Sequence, residues 1–248
     1  MIGQSPDSRT APELTVVAPM HNEAGAAAGL AGEIADALAG VDYEIVMVDD
    51  ASSDATLDAL RALRANNPRL RIVRHERNAG QSRAVRSGVI AARAPVIATV
   101  DGDGQNNPKD IPALYAQLKS SSGVAMVAGE RVGRQDSQAK KAASRAANAI
   151  RRRLLGDGAA DTGCGLKVFR RDAFLALPYF DHMHRYLPAL MAREGYGVAF
   201  APVSHRPRTS GRSKYTNFGR ALVAIRDLMG VIWLKARAKS PGSVTEEP

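Results

Sequence analysis

The chain has 248 residues, with apolar residues at 45% and charged residues at 24%, values that suit one large α/β domain or two small ones and exclude wholesale disorder. One cysteine, Cys164, rules out an internal disulfide and points to a reducing compartment. The formal charge of +9 is unevenly spread: residues 1–130 hold 12 Lys/Arg against 16 Asp/Glu, and residues 131–240 hold 22 against 7. An acidic half followed by a basic half predicts carboxylate chemistry early and an anionic partner later, whether nucleic acid, a phosphorylated small molecule or an anionic membrane.

Residues 1–12 are polar, lack a signal-peptide layout and read as a flexible terminus. No apolar run approaches a membrane span; the longest late one, Leu228–Leu234, has seven residues. In chain order, β-rich runs at Leu14–Met20, Glu44–Val48, Leu70–His75, Pro95–Val100 and Val124–Ala128 alternate with helical spacing at about 24–39, 54–66, 80–93 and 108–121. Ser53 or Asp54 can cap the second helix, and Asn107-Pro108 the fourth. The second half reads as a basic helix at about 138–155, a turn-rich segment Gly156–Gly165 and a strand Leu166–Arg170. A helix at about 183–194 follows, stopped by Gly195, then a strand through Pro202, a loop Val203–Thr216 and a last helix Asn217–Lys239. The pattern implies a mostly parallel sheet flanked by helices, with one catalytic domain over 13–216, an amphipathic helix over 217–239 and a flexible tail over 240–248.

Ligands in such sheets bind beyond the carboxyl ends of the strands. Two acidic loops fall there: Val48-Asp49-Asp50-Ala51-Ser52-Ser53-Asp54, and Val100-Asp101-Gly102-Asp103-Gly104-Gln105. Asp-Gly pairs make turns, and Asp caps helices. Two aspartates one residue apart can also aim oxygens at one hard cation, with phosphate oxygens and water completing its shell. The first strand runs into Pro19-Met20-His21-Asn22-Glu23 rather than a glycine-rich phosphate turn, and the chain has no Walker-type phosphate loop. A bound nucleotide would therefore need side chains and a metal to hold its diphosphate.

These segments, with Asn78-Ala79-Gly80, Gly129-Glu130-Arg131, Asp161 to Arg171 and Arg208-Thr209-Ser210-Gly211-Arg212-Ser213-Lys214, resemble a family-2 glycosyltransferase of GT-A (Rossmann-like) fold over about residues 13–215. Within that family the chain is most similar to the dolichyl- and polyprenyl-phosphate sugar transferases. The resemblance implies that Pro19, Asn22 and Glu23 line a nucleoside pocket, with Asp50 near the base or ribose. Asp101 and Asp103 form the family's D-x-D motif, and Asp103 with Gln105 would hold Mg²⁺ or Mn²⁺ on the donor diphosphate. Arg131 matches an arginine on the acceptor phosphate, and Arg208, Ser213 and Lys214 match a loop closing over the diphosphate. Negative charge grows on that diphosphate as the glycosidic bond breaks, so a divalent cation, Arg and Lys suit the chemistry.

A phosphate acceptor is already anionic and needs docking cations rather than a base; Arg131, Arg134, Lys140, Lys141, Arg145 and Arg185 are the candidate cations, with Ser144 as a further acceptor-binding residue. Asp181 is the candidate base for a hydroxyl acceptor, and His184 reads as a structural histidine. Asp161, Gly163 and Gly165 read as a turn near the acceptor, and Arg151-Arg152-Arg153 as a cationic helix face. On the last helix Phe218, Leu222, Ile225, Met229 and Ile232 form an apolar stripe, followed by Trp233, Lys235, Arg237 and Lys239. Such a helix fits the headgroup layer of an anionic membrane; packing on the body or in a homodimer competes. The resemblance thus implies an inverting, metal-dependent sugar transfer from a nucleotide-sugar (GDP-mannose or a UDP-hexose) to a polyprenyl phosphate at the cytoplasmic membrane face. A hydroxyl acceptor is the alternative. A nucleic-acid partner is disfavoured by 5% aromatics and no recognition module.

Overall fold

The computed structural model describes residues 11–132, 149, 151–204, 206, 217–239 and 245. Among the described residues seven strands form one sheet: β1 (Leu14–Met20), β2 (Tyr43–Asp49), β3 (Leu70–Arg74), β4 (Val96–Thr99), β5 (Val124–Arg131), β6 (Lys167–Arg170) and β7 (Gly197–Val203). Their order is β3-β2-β1-β4-β6-β5-β7. β6 runs antiparallel to both its neighbours, and the other pairings are parallel. Two reversals cancel, so β5 points the same way as β4.

Both faces of the sheet are covered, which is why β1 and β2 read as nearly unbroken apolar runs. Alternation along β1 sends Val16, Ala18 and Met20 to one core and Val17 to the other. The first core takes Ala27, Leu30, Ala31 and Ile34 of helix α1 (Ala24–Ala37), a helical i, i+3, i+4, i+7 face, with Leu114 and Leu118 of α4 (Ile111–Ser120). α2 (Thr56–Asn66) buries Leu60 there. The second core takes Ala84, Val85 and Val89 of α3 (Gln81–Ala91), and Leu187, Leu190 and Met191 of α6 (Leu187–Arg193).

Of the expected caps, Asn107 forms, accepting from the Lys109 backbone N–H (3.2 Å). The N-cap position of α2 is Ala55, not Ser53 or Asp54; Asp54 instead accepts the Thr56 N–H (3.0 Å) in the turn just before the helix. A 3₁₀ turn, Pro108–Asp110, precedes α4, and another, Met183–Arg185, precedes α6, so the single helix expected at 183–194 is two pieces. The sequence reading missed α5 (Arg171–Ala176), six residues fastened by stacking of Phe174 on Phe169 at 5.0 Å between ring centroids. Of the expected basic helix, residues 151–155 are helical. Its cationic cluster divides: Arg151 is buried in a two-pronged pair with Asp157 (2.7 and 3.0 Å), while Arg152 and Arg153 are exposed. The terminus at 1–10, most of the loop 203–216 and most of the tail lie outside the described residues.

The last helix, α7 (Asn217–Ala236), docks on the body. Val231 is fully buried in the second core, and Leu228, Ile232 and Leu234 pack against it. Tyr186 donates to the Ala224 carbonyl (3.2 Å), His182 sits 3.0 Å from Asp227, and Arg193 donates to the Leu234 carbonyl (3.0 Å). The expected stripe is therefore split. Ile232 belongs to the packed side, whereas Ile225, Met229 and Trp233, at i, i+4 and i+8, face outward.

Candidate active site

A cavity of about 840 Å³ opens where the strands end. Register explains the convergence: Met20 pairs with Asp49 and Val17 with Thr99, so the loops after β1, β2 and β4 leave from one edge. Pro19, Glu23, Asp50, Asp101, Asp103, Gln105, Arg131 and Arg185 all line the cavity. Its lining thus combines carboxylates from the loops after β2 and β4 with Arg131 at the end of β5 and Arg185 of the 3₁₀ turn Met183–Arg185.

Asp50 is spoken for. Its Oδ1 takes the Ala79 N–H (2.8 Å) and lies 2.7 Å from His75 Nδ1, and its Oδ2 takes the Gly80 N–H (2.8 Å). His75 is braced in turn by Ser87 (2.8 Å). The carboxylate thus holds Asn78-Ala79-Gly80 against β2, and Asp50 shapes this part of the cavity by fixing a loop. Asn22 does similar work: its side-chain oxygen takes the Ser53 N–H (2.7 Å), tying the loops after β1 and β2, and it is not among the cavity residues.

Asp101 accepts from Gln81 Nε2 (2.7 Å), and its backbone N–H is held by Asn106 (2.8 Å). Burial, and then the like charge of Asp103, push its carboxyl up to about 6, against opposing charge from Lys167 and Arg131. Asp103 takes the Gln105 N–H (3.1 Å), closing the turn. A divalent cation fits this pair, since it would relieve the repulsion that raises Asp101. Among the described residues no group of three or more His, Cys, Asp or Glu gathers to cage a metal, so Asp101, Asp103 and the Gln105 amide would leave positions for diphosphate oxygens.

Arg131, at the end of β5, is gripped by Asp161 through Nε (2.6 Å) and Nη2 (2.8 Å). Burial works against Arg131's charge, but the Asp161 hydrogen bonds outweigh it and raise its pKa. Burial likewise opposes Asp161's charge, and Arg131 holds that carboxyl below its ordinary value. His184 shares a 2.7 Å hydrogen bond with Ser82, and burial pushes its pKa well below the ordinary value, which keeps the ring neutral. Asp181 accepts its neighbour's N–H (2.8 Å for His182) and does not line the cavity.

Lys167 was missed. It is buried, donates to the Cys164 carbonyl and carries positive charge towards Asp101, while burial lowers its pKa. Lysine between Leu166 and Val168 in a short buried strand was the available signal. Arg206 was missed too: it pairs with Glu33 on α1 (2.8 and 2.9 Å), donates to Asn107 and bonds the Gln105 carbonyl through its backbone (3.1 Å). It fastens the start of the basic loop to the acidic turn. Arg208, Ser213 and Lys214 of that loop, and Arg134, Lys140, Lys141, Ser144 and Arg145, lie outside the described residues.

A sheet with one reversed strand, an acidic pair at its switch edge and an arginine across the cleft define the GT-A class of glycosyltransferases. The profile of glycosyl transferase family 2 matches residues 15–177, and the chain belongs to that family. It is 34% identical over 236 residues to the dodecaprenyl-phosphate galacturonate synthase of Rhizobium johnstonii, covering 93% of this chain and 69% of that protein. Among solved structures, the glucosyl-3-phosphoglycerate synthase of Mycobacterium tuberculosis, in complex with Mn²⁺, UDP and glucosyl-3-phosphoglycerate, superposes with a TM-score of 0.68 at 17% identity, over 93% of this chain and 82% of that one. A mannosyltransferase of Pyrobaculum calidifontis in complex with GDP-Man and Mn²⁺ gives 0.65 at 20% identity, over 95% and 67%.

Proposed function

We propose that the protein transfers a sugar from a nucleotide-sugar to a polyprenyl phosphate, with inversion and with Mg²⁺ or Mn²⁺. The carrying observation is that one cavity is lined both by Asp101, Asp103 and Gln105 and by Arg131 and Arg185, while Asp181, the candidate base, is not among its described lining residues. Asp50 is occupied by protein donors, Asp101 and Asp103 form the cation pair, and Asp181 is outside. A phosphate acceptor needs no base. The likeness to a dodecaprenyl-phosphate sugar synthase supports the same acceptor class.

In this reading Pro19 and Glu23 wall the nucleoside, while Asp101, Asp103 and Gln105 hold the cation. When bound, that ion supplies Lewis-acid stabilisation of the departing diphosphate. Arg208, Ser213 and Lys214 add positive charge and hydrogen bonds on the same leaving group. Arg131 and Arg185 dock the acceptor phosphate, with Lys140, Lys141 and Ser144 from the neighbouring segment. One phosphate oxygen attacks the anomeric carbon from the side opposite the nucleotide, forming the new C–O bond as the old one breaks.

A lipid acceptor requires contact with a membrane, and α7 carries a surface for it. Among the described residues no helix is long and apolar enough to cross a bilayer. Ile225, Met229 and Trp233 nonetheless stand in one outward row, with Arg237 beside the Trp233 ring (5.9 Å) and Arg226 and Lys239 exposed nearby. Apolar side chains rimmed by cations match an anionic headgroup layer better than a second protein surface. We therefore place the enzyme peripherally on the cytoplasmic face. The test is transfer from a panel of labelled nucleotide-sugars, with Mg²⁺ or Mn²⁺, to a polyprenyl phosphate or to the matching prenol. Transfer to the phosphate alone is expected; transfer to the prenol, or to neither, overturns the reading.

A further inference from the structure

β6 runs against β4 and β5 and lies between them, so the residues leading into it emerge at the edge where those strands end. Those residues are Asp161–Gly165. They pass between Asp101, beyond β4, and Arg131, at the end of β5. The contacts on each side are close. Asp161 takes Nε and Nη2 of Arg131, its backbone N–H (3.3 Å) and that of Gly163 (3.1 Å). A Cβ on Gly163 would stand 2.7 Å from Arg131 Nη2, and one on Gly165 would fall inside the Asp101 carboxylate. Thr99, two residues before Asp101, anchors the Gly165 carbonyl (2.7 Å).

We infer that this turn is a positioning element that fixes the acceptor arginine relative to the cation-binding aspartate. Asp161 removes the rotational freedom of the Arg131 guanidinium, so a phosphate meets a preset donor fork rather than a swinging side chain. Gly163 leaves room for that fork, and Gly165 leaves room for Asp101. Asp161 acts through Arg131, and the two glycines act by the room they leave for Arg131 and Asp101. The assignment of phosphate docking to Arg131 rests on the function proposed above; the positioning itself rests on the turn's own geometry.

The experiment uses the full chain with Asp161→Asn, Gly163→Ala, Gly165→Ala and Arg131→Ala, and Asp161→Asn combined with Arg131→Ala. Farnesyl phosphate binding and Mn²⁺-dependent UDP or GDP binding are measured by calorimetry. The ¹⁵Nε–H resonance of Arg131, assigned by its loss in Arg131→Lys, reports the grip directly. Asp161→Asn keeps the shape but turns an N–H towards the fork. It should weaken farnesyl phosphate binding about tenfold, leave nucleotide binding within about twofold, and add nothing in the Arg131→Ala background. The Nε–H resonance should shift. Gly163→Ala should repeat that pattern, and Gly165→Ala should reverse it, losing metal-dependent nucleotide binding first. Equal loss of both ligands in Asp161→Asn, additivity with Arg131→Ala, or an unmoved resonance overturns the inference. If even the wild type fails to bind farnesyl phosphate, the acceptor reading falls; a shifted resonance then still supports the positioning role and an unmoved one overturns it.

Discussion

Replacing Ile225, Met229 and Trp233 together with serine should detach the protein from membranes without unfolding it. The three side chains are 56%, 66% and 60% exposed, so somewhat over half of each remains to be buried in a headgroup layer. Full burial of such a side chain contributes roughly 1.5–3 kcal/mol, which gives the row about 3 kcal/mol at the low end, or about a hundredfold in partitioning. Arg226, Arg237 and Lys239 add roughly 1 kcal/mol each near an anionic surface, and this part weakens as salt shortens the reach of the charges. The packed side of α7, centred on fully buried Val231, is untouched, so the melting temperature should move by no more than about 2 °C. Ile232 is left alone because it packs against the second core. The assay is co-sedimentation with vesicles of mixed neutral and anionic lipid at several salt concentrations. The serine variant should bind weakly at every salt concentration, while neutralising the three cations should chiefly flatten the salt dependence. Undiminished sedimentation of the serine variant would refute the docking surface.

Asp103→Ala should cut transfer by at least about a hundredfold and abolish the metal dependence of nucleotide binding, with the fold intact by circular dichroism; unchanged Mn²⁺-dependent binding in calorimetry would remove Asp103 from the cation site. Arg131→Ala should raise the acceptor KM about tenfold or more while the donor affinity holds, and the reverse split in steady-state kinetics would move Arg131 to the donor side. Glu44, buried at the opposite edge of the sheet, is held by Thr15 (2.8 Å), Arg93 (2.7 and 2.8 Å) and Arg71 (3.2 Å). Burial raises its pKa, but the Arg93 and Thr15 hydrogen bonds and the Arg71 charge outweigh that and hold it below its ordinary value. A lowered folded-state pKa stabilises above the unfolded value and loses that contribution as pH falls through the folded one. Glu44→Gln should therefore destabilise the protein at neutral pH in urea unfolding, and the gap to wild type should narrow as pH falls through the ordinary glutamate range and below it; a gap independent of pH would refute this.

The legible parts of the fold were those with local causes. The five strands of the first half carry runs of Val, Ile and Ala bounded by loop residues, and four helices begin within a few residues of their expected starts because Asp54, Asn107 and periodic apolar faces mark them. The six-residue α5 went unread because a single turn or two of helix has no room for periodicity; the Phe169–Phe174 stack that holds it joins a strand to a helix. Asn22 and Asp50 stood out as site residues by type and position, yet their side chains are spent on Ser53 and on the 78–80 loop. A carboxylate or amide beside a cleft looks the same in sequence whether it faces ligand or backbone.

By itself the sequence determined the layered α/β plan, the acidic loops at the strand ends and the family, since each depends on residue type and short-range spacing. Only the tertiary structure decided what those groups do to one another. The reversed strand β6 brings Asp161 to Arg131 across 30 residues and sets Gly165 against Asp101, and strand direction is set by long-range pairing with β4 and β5 rather than by any local pattern. The same holds for α7, whose apolar residues surround much of the helix. Which of them are buried was fixed by contact with Tyr186, His182 and Arg193, long-range partners that a 3.6-residue period cannot name.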